Sequence, residues 1–530
     1  MKALIIAEKP SLAQKIVSAI GSMKKEKDYY ENDTYVVTSV FGHLLTLYDL
    51  DDYLNKDEDN KYWQLEDLNF FPKEFKFKIK NDKGVKDRYK LIKELIKRKD
   101  IDTIINSGDA DREGEVLINI VVYKIFDELK LTKPIKRIWL EDQTENTIKK
   151  ELKYAADITN TYNLYQEGLA RTYVDWLYGI YLTRYMSILT HTTYNTGRVI
   201  IPTVKYVYDR DMEIKNFKPE KYFEISNKIT KDGKDVNISF KGMKFTSEEK
   251  EKAENVLNEI KNQKIVVKDI EKKDVKKKPK KLFSLATLQN YMNKTQKFPL
   301  DKTLDLVQSL YEKRLLTYPR TNTEYLSEEE IPKFKSLVEK LNLKYGDLNF
   351  QTPKTIFDSS KVESHSAITI TETSNVSNLT QDEEKVYNAV KNRFLANFCK
   401  DDCIVEETII KFQMGEKETS IKGQSIKQEG YLKYENDLGE KEIPKFNIGE
   451  SFDHIDELNE KETNPPKKVT EVELNKFFEK PFKNQNKKKL DEDEDDVQET
   501  EEDDTEDYKN MLKRSRNWNT CNTFWHDRKS

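Results

Sequence analysis

The chain has 530 residues, 35% of them charged and 36% hydrophobic, with a net charge of −4. The length admits roughly three or four domains. No apolar run approaches the ~20 residues of a membrane span, and the opening residues pattern as a strand and not as a signal peptide, so a cytoplasmic protein with no membrane partner is expected.

Cys399, Cys403 and Cys521 form no C-x-x-C pair, which argues against a zinc finger or a disulfide framework. The net charge hides a basic body: residues 491–507 hold thirteen Asp or Glu and neither Lys nor Arg, leaving +9 on the rest. That excess suits a protein that neutralises phosphates along a groove. The lysines of residues 272–281 and Lys467 and Lys468 fit this, although each run alone is equally a solvated face.

Residues 2–7 are expected to form a strand, followed by a turn at Glu8-Lys9-Pro10-Ser11 and a helix over residues 12–20 capped by Ser11. Glu8 and Lys9 then fall at a strand's carboxyl end, where α/β domains deliver site residues. An ordinary helix-start acid and a surface lysine would look the same. Phe41-Gly42-His43-Leu44 and an aromatic segment over residues 62–77 follow.

Residues 101–106 pattern as a buried strand and residues 116–126 as a helix, so Ser107-Gly108-Asp109-Ala110-Asp111-Arg112-Glu113-Gly114-Glu115 occupies a strand-to-helix turn. Four carboxylates and one guanidinium lie within those nine residues. Asp109 and Asp111, two apart, can point to one side, and Gly108 and Gly114 let the backbone bend. Oxygen donors without Cys or His in the motif suit a hard cation such as Mg2+, which binds one or two carboxylates together with substrate phosphate. Acidic loops are more often merely solvated. The buried strand, the two glycines and the arginine among the acids favour a site. A short strand at Arg137-Ile138-Trp139-Leu140 closes this first domain, residues 1–150.

The acidic arrangement from Asp109 to Glu115 is similar to the motif of the Toprim fold, which occurs in topoisomerases, primases and nucleases. Taken in order with Ile6-Ala7-Glu8-Lys9-Pro10-Ser11 and Gly42-His43-Leu44, it resembles the amino-terminal domain of type IA DNA topoisomerases, closest to the topoisomerase III branch. Residues 151–215 would then begin a helical base. Within it an amphipathic helix over residues 170–180 carries Arg171 and Asp175 at i and i+4. By spacing they are as readily a structural ion pair; by resemblance they lie beside a single-strand groove. Thr196-Gly197-Arg198-Val199 through Pro202-Thr203 resembles the next motif, with Ile200 and Ile201 in place of the family's polar Gln and Thr.

Residues 222–267 alternate like strands, giving a β-rich arch over 216–280 that ends in a basic hinge at residues 272–281. Leu285-Ala286-Thr287-Leu288-Gln289 and a helix over residues 304–313 open a helical domain, 281–395, that carries Leu316-Thr317-Tyr318-Pro319-Arg320-Thr321-Asn322-Thr323. Pro319 biases Tyr318 away from helix, and Arg320 can lie on the same side to meet a phosphate that the phenol attacks. With a reference pKa of about 10 the phenol needs a base or nearby positive charge; Lys9, Arg320 and the metal are candidates. Asn322 replaces the family's acidic residue. His365, in Ser364-His365-Ser366-Ala367-Ile368, matches the family's histidine near the tyrosine, and a further helix follows Leu379-Thr380-Gln381-Asp382-Glu383 and ends at residues 394–398.

An arch return over 396–450 and an incomplete base return over 451–489 follow, the latter carrying the family-like Pro465-Pro466-Lys467-Lys468-Val469-Thr470-Glu471. An acidic disordered tract, 490–510, and an aberrant tail, 511–530, come last. The tail lacks the family's Gly-Thr-Pro-Ala-Thr-Arg segment. Suitable codons for residues 516–529, read one base later, spell Gly-Ile-Gly-Thr-Pro-Ala-Thr-Arg-Ser-Gly-Met-Ile-Glu, so a one-base slip between Met511 and Arg514 is expected to truncate the chain.

The resemblance implies a multidomain α/β and α+β protein whose Toprim, helical and arch domains form a toroid. It implies that Tyr318 attacks a phosphodiester of single-stranded DNA, leaving a 5′ phosphotyrosine and a free 3′ hydroxyl, so that resealing needs no ATP. Glu8, Asp109, Asp111 and Glu113 would hold Mg2+ or position the 3′ hydroxyl. Lys9, Arg320 and His365 would stabilise the phosphate, and Arg171, Asp175, Arg198 and Gln289 would contact DNA. A monomer relaxing negative supercoils or decatenating DNA is expected. A Toprim nuclease or primase would not need Tyr318-Pro319-Arg320; a truncated, catalytically impaired single-strand-binding derivative is the other rival.

Overall fold

The computed structural model describes residues 2–56, 62–362, 365–373, 376 and 378–479. Ser364, Cys521, the acidic tract and the tail lie outside them. The first domain is built from β1 (Lys2–Ala7), α1 (Pro10–Ile20), β2 (Lys24–Lys25), β3 (Tyr30–Glu31), β4 (Tyr35–Ser39), β5 (Leu45–Leu47) and α2 (Leu50–Leu54). It continues through β6 (Phe77–Ile79), α3 (Lys83–Lys97), β7 (Ile101–Ser107), α4 (Arg112–Leu129), β8 (Ile135–Arg137), α5 (Glu145–Lys153) and β9 (Ala156–Asp157).

The sheet runs β2-β3-β4-β1-β7-β8-β9, with β1 parallel to both β4 and β7. Leu4 and Ile6 face a core shared with α3 and α4, while Ile5 and Ala7 face α1 and α5. A parallel strand covered on both faces carries an unbroken apolar run, which is why Leu4-Ile5-Ile6-Ala7 is buried throughout. The expected cap at Ser11 is corrected: α1 starts at Pro10, its N-cap is Lys9, and no side chain caps it. Pro10 lacks an N–H and has its φ preset, so it suits a first helical position and brings the start forward.

The next helices are α6 (Tyr162–Leu177), α7 (Thr183–Thr190) and α8 (Ile200–Asn216), with a π turn at Tyr178–Leu182 between the first two. A Cβ at Gly168 would stand 2.5 Å from Val116 Cγ2, so this glycine lets α6 lie close on α4.

The arch holds β10 (Lys221–Lys231), β11 (Lys234–Ile238), β12 (Lys244–Thr246), α9 (Lys250–Ile260) and β13 (Ile265–Lys277). Helix α9 interrupts the strands expected over 222–267. Ala253, Val256, Leu257 and Ile260 share one helical face on the arch core, and Thr246 with Glu249 forms a capping box on the 3-10 turn Ser247–Glu249 that leads into it. The expected basic hinge is likewise a strand through Lys277, because Lys272, Lys276 and Lys277 pair with Glu406, Asp402 and Glu407 at 3.5, 2.6 and 2.6 Å.

Four helices, α10 (Leu285–Gln296), α11 (Leu300–Glu312), α12 (Ile331–Tyr345) and α13 (Gln381–Asn397), enclose a core with Phe283, Leu288, Val307, Phe334 and Phe394. Helix α11 begins four residues before the expected position, directly after Pro299. The chain then returns to the arch as β14 (Cys403–Met414), β15 (Lys417–Gln428), β16 (Ser451–Phe452) and β17 (His454–Glu462), ahead of α14 (Glu471–Glu479). Because β17 pairs with β10 from Lys221↔Glu462 to Ile229↔His454, the arch sheet extends past residue 450. Cys399 and Cys403 are buried free thiols.

Candidate active site

Strands β1 and β7 are parallel neighbours with Ala7 opposite Ser107, so their carboxyl ends set Glu8 beside Asp109. Glu8 Oε2 accepts the Asp109 N–H at 2.8 Å. Lys9 Nζ stands 3.3 Å from Asp109 Oδ2 and 3.4 Å from Glu312 Oε1 at the end of α11. Burial, with the Asp109 charge behind it, pushes Glu8 up to about 7. Burial also raises Asp109, outweighing the pull of Lys9. For Lys9 itself burial acts downward, but Asp109, Glu8 and Glu312 together hold the ammonium above its usual value.

The turn after β7 is shaped by close packing. A Cβ on Gly108 would lie 2.4 Å from Gly114 O, and one on Gly114 would lie 2.2 Å from Asp109 O. The glycines therefore allow backbone to meet backbone, which is their role in place of the bending the sequence suggests. Arg137, fully buried, clamps the same turn: its guanidinium donates to Gly108 O and Asp109 O, each at 2.8 Å, and pairs with buried Glu115. Asp111 caps α4 by accepting the Gly114 N–H at 2.7 Å.

Tyr318 arrives from the other side. Leu316 bridges Ile370, Thr317 N–H donates to Thr369 O at 3.0 Å, and the Tyr318 N–H donates to Glu141 O at 2.9 Å. Its hydroxyl donates to Asp111 Oδ2 at 2.6 Å. Burial raises the phenol's pKa, Asp111 and Asp109 add to this, and Arg320 works against it. Arg320 Nη1 lies 3.5 Å from Asp111 Oδ2 and 3.7 Å from Glu113 Oε2. Glu113 also meets His43 Nε2 at 3.2 Å, and that hydrogen bond is the first cause holding its carboxyl below the usual range.

His365 lies 4.5 Å from the Tyr318 ring, centroid to centroid, and stacks on Trp139 at 5.4 Å. Neither ring nitrogen has a hydrogen-bond partner among the described residues, and burial pulls the imidazole down to about 4.

Glu8, Lys9, Asp109, Asp111, Glu113, Tyr318, Arg320 and His365 thus meet at one junction. Among the described residues the other assigned residues make no direct contact with it, although the Arg171 charge helps to hold Glu113 low. Asp175 pairs with Arg171 at 3.7 Å and with Arg198 on an exposed face, while Gln289 Nε2 donates to Leu300 O at 2.8 Å and ties α10 to α11. His43 and Arg137 stood in segments named in the sequence but were given no site role, and Glu312 was not singled out. The available signal was an arginine inside the short apolar strand beside Ile135 and Ile138. Among the described residues no three His, Cys, Asp or Glu gather as a metal-ligand set. The donor chemistry still suits a hard cation: the acids offer only carboxylate oxygens, and Glu8 and Asp109 are buried against each other with both pKa values raised, a repulsion that a cation relieves.

Residues 3–142 match the family model described as Toprim domain, and residues 159–481 match that described as DNA topoisomerase. A DNA topoisomerase 3 of Staphylococcus haemolyticus (strain JCSC1435) is 34% identical over 497 residues, spanning 91% of this chain and 67% of that protein. The DNA topoisomerase 3 of Staphylococcus aureus (strain USA300) is 33% identical over 504 residues with the same two coverages. The solved structure of full-length topoisomerase I from Thermotoga maritima is similar with a TM-score of 0.65 at 25% identity, over 90% of this chain and 75% of that one.

Proposed function

The chain belongs to the type IA DNA topoisomerase family, on its topoisomerase III-like side, and on that premise we propose how its residues divide the work of cutting, passing and rejoining a DNA strand without ATP. Tyr318 Oη attacks the phosphorus, the bond to the 3′ oxygen breaks, and a 5′ phosphotyrosine forms. The phenolic proton passes to Asp111, which already accepts the hydroxyl's hydrogen bond at 2.6 Å. The departing 3′ oxygen takes a proton from Glu8, whose buried carboxyl holds one near neutral pH. Resealing reverses both transfers.

Arg320 and Lys9 stand on the two sides of the acid pair and offset the phosphate's negative charge. Neutral His365 packs the phenol in place and presents an N–H toward the phosphate. Oxygens of Asp109, Asp111 and Glu113, with Glu8 when it is ionised, would hold Mg2+, which would supply further charge neutralisation. The exposed cluster of Arg171, Asp175 and Arg198, together with Gln289, is assigned to single-stranded DNA, and the enzyme acts as a monomer in the cytoplasm.

The observation that carries this reading is the hydrogen bond from Tyr318 to Asp111, which a Toprim nuclease or primase would not need. The test is Mg2+-dependent cleavage of 5′- and 3′-labelled single-stranded oligonucleotides. Protein joined to the 5′ end of the break, lost in Tyr318→Phe, is expected. An adduct that survives Tyr318→Phe overturns the assignment.

A further inference from the structure

A second polar hollow lies across β1 from the acids. Strand β1 has β7 on one side and β4 on the other, with Ala7 opposite both Ser107 and Ser39. Neighbouring strands are about 4.8 Å apart, so Ser39 stands roughly 10 Å from the strand that delivers Asp109. Around Ser39, at the carboxyl end of β4, the start of α1 and residues 25–30 leave a cavity of about 140 Å³. The carboxyl ends of parallel strands are where such sheets bind ligands. The cavity is small beside the ~300–1,000 Å³ of a pocket for a whole small molecule. It suits one compact group.

The lining selects the charge of that group. Lys25, Lys27 and Arg88 border the cavity together with Gln14, Thr38 and Ser39. Among the described residues neither lysine has a side-chain partner. Arg88, half-buried on α3, donates through Nη1 to Asp28 O at 3.2 Å and to Thr38 Oγ1 at 3.3 Å, and among the described residues no carboxylate pairs with it. Two neutral oxygens thus fix the guanidinium while its charge and its Nε and Nη2 donors stay free for an anion. Of the acids at the rim, Glu26 is tied to Lys24 at 2.8 Å and Asp28 is exposed, so positive charge is in surplus. Ser39 is an independent sign. It is 4% exposed, lies on the α1 side of the sheet with Val37, and its hydroxyl lines the cavity with no hydrogen-bond partner among the described residues. A buried hydroxyl left unpaired is a cost that a bound acceptor removes. Helix α1 also starts here without a side-chain cap, which leaves its first N–H groups to add partial positive charge.

We propose that this cavity, bordered by Arg88, Lys25, Lys27 and Ser39, is a phosphate-binding site separate from the acids that meet the bond to be cut. Arg88 supplies paired donors, the lysines supply charge, and the Ser39 hydroxyl donates to one phosphate oxygen. Two sources carry this chemistry: a backbone phosphate of the DNA strand, and a free phosphate ion. The first rests on the functional reading above. It is favoured by Phe41, whose ring lies 5.2 Å from the Arg88 guanidinium and is 41% exposed, a face on which a base can stack. The chain then runs from Phe41 to His43, which meets Glu113 at 3.2 Å, so a strand seated in the cavity is within reach of the acids.

The probe for the first source is a labelled single-stranded oligonucleotide, bound to the full chain without Mg2+ and followed by fluorescence anisotropy from about 50 to about 200 mM salt. Each phosphate contact adds about 0.7 to the slope of log affinity against log salt for a single strand. Arg88→Gln is expected to weaken binding about tenfold at the low end and to cut the slope by about 0.7. Gln14→Glu keeps the size of its side chain, and an acid near a helix start does not harm the helix. It puts negative charge in the cavity, so at least about fivefold weaker binding is expected even should Arg88→Gln not fold. Lys97→Gln removes a charge from the exposed last turn of α3, away from the cavity, and is expected to change affinity by less than about twofold. A loss in Lys97→Gln equal to that in Arg88→Gln overturns the site. The probe for the second source is inorganic phosphate, exchanged for chloride at equal ionic strength while the melting temperature is read. A rise in wild type that is lost in Arg88→Gln and Gln14→Glu, with oligonucleotide affinity unchanged, assigns the cavity to the free ion. Wild type and both variants alike in both assays overturn the proposal. Neither assay needs strand scission, so a missing 5′ adduct sinks the role of Tyr318 and leaves this site standing, while a flat response here leaves the adduct untouched.

Discussion

Tyr318 Oη and Asp111 Oδ2 are 2.6 Å apart, although 207 residues separate them in the chain. Asp111 also caps α4, and asparagine caps a helix as well as aspartate does. Asp111→Asn is therefore expected to keep the fold and single-strand affinity while slowing 5′ adduct formation by about 10²–10⁴-fold, the usual worth of a general base. Adduct formation at the wild-type rate would remove Asp111 from the proton path.

The close approach of Gly108 to Gly114 makes a second prediction. Alanine at 108 would put a methyl group 2.4 Å from a carbonyl oxygen, a backbone clash that must be relieved by moving the acidic turn. Gly108→Ala is expected to cost about 1–3 kcal/mol by overpacking and to lower cleavage more than tenfold. Gly439→Ala, where the new methyl would meet nothing within 4 Å, is the neutral control. Equal melting temperatures for the two variants would contradict the packing account.

Arg137 and Glu115 form a pair in which both side chains are almost wholly buried. Glu115→Gln leaves the guanidinium without its counter-ion in the interior, which is expected to cost about 3–5 kcal/mol, read as a shifted urea midpoint at unchanged slope. Because Arg137 also holds the Gly108 and Asp109 carbonyls, cleavage is expected to fall in the variant that remains folded. A midpoint shift under about 1 kcal/mol would show that the pair is weakly coupled to the fold.

His365 supplies a pH signature of stability. Its folded value, pulled down to about 4, lies below the ordinary 6.5, so between these pH values the unfolded chain binds the extra proton. Stability from this group is complete above pH 6.5 and is lost as pH falls toward 4, in total on the order of 3 kcal/mol. His365→Gln is expected to flatten that limb of a stability–pH curve measured by urea unfolding. The same slope in both proteins would show that other groups cause it.

The parts of the fold legible in the sequence were those where local pattern and burial agree. Leu4-Ile5-Ile6-Ala7 announces a strand covered on both faces, and the glycines around Asp109 announce a tight turn. Tyr318 stood out among 28 tyrosines only through Pro319 and Arg320. Helix α9 was missed because its charged face dominates Lys250-Glu251-Lys252 while its apolar residues fall every third or fourth position, a pattern easily taken for alternation in a β-rich stretch. The supposed lysine hinge was illegible for a different reason: its acidic partners Glu406 and Glu407 lie some 130 residues away. The clamp of Arg137 on the acidic turn is likewise a long-range relationship that no local spacing encodes.

Strand β10 is hydrogen-bonded along its length to β17, more than two hundred residues later. On a ribosome adding roughly 5–20 residues per second, β10 therefore waits some tens of seconds for its partner, while the first domain already has all its strands. During that interval one edge of β10 is open to any passing chain. Its outward residues Glu224 and Lys228 put charge beside that edge, a pattern that discourages pairing with the wrong strand. The arch thus shapes the order in which the nascent enzyme assembles: the first domain can fold while the chain is still emerging, and the arch sheet closes only when the chain comes back to it.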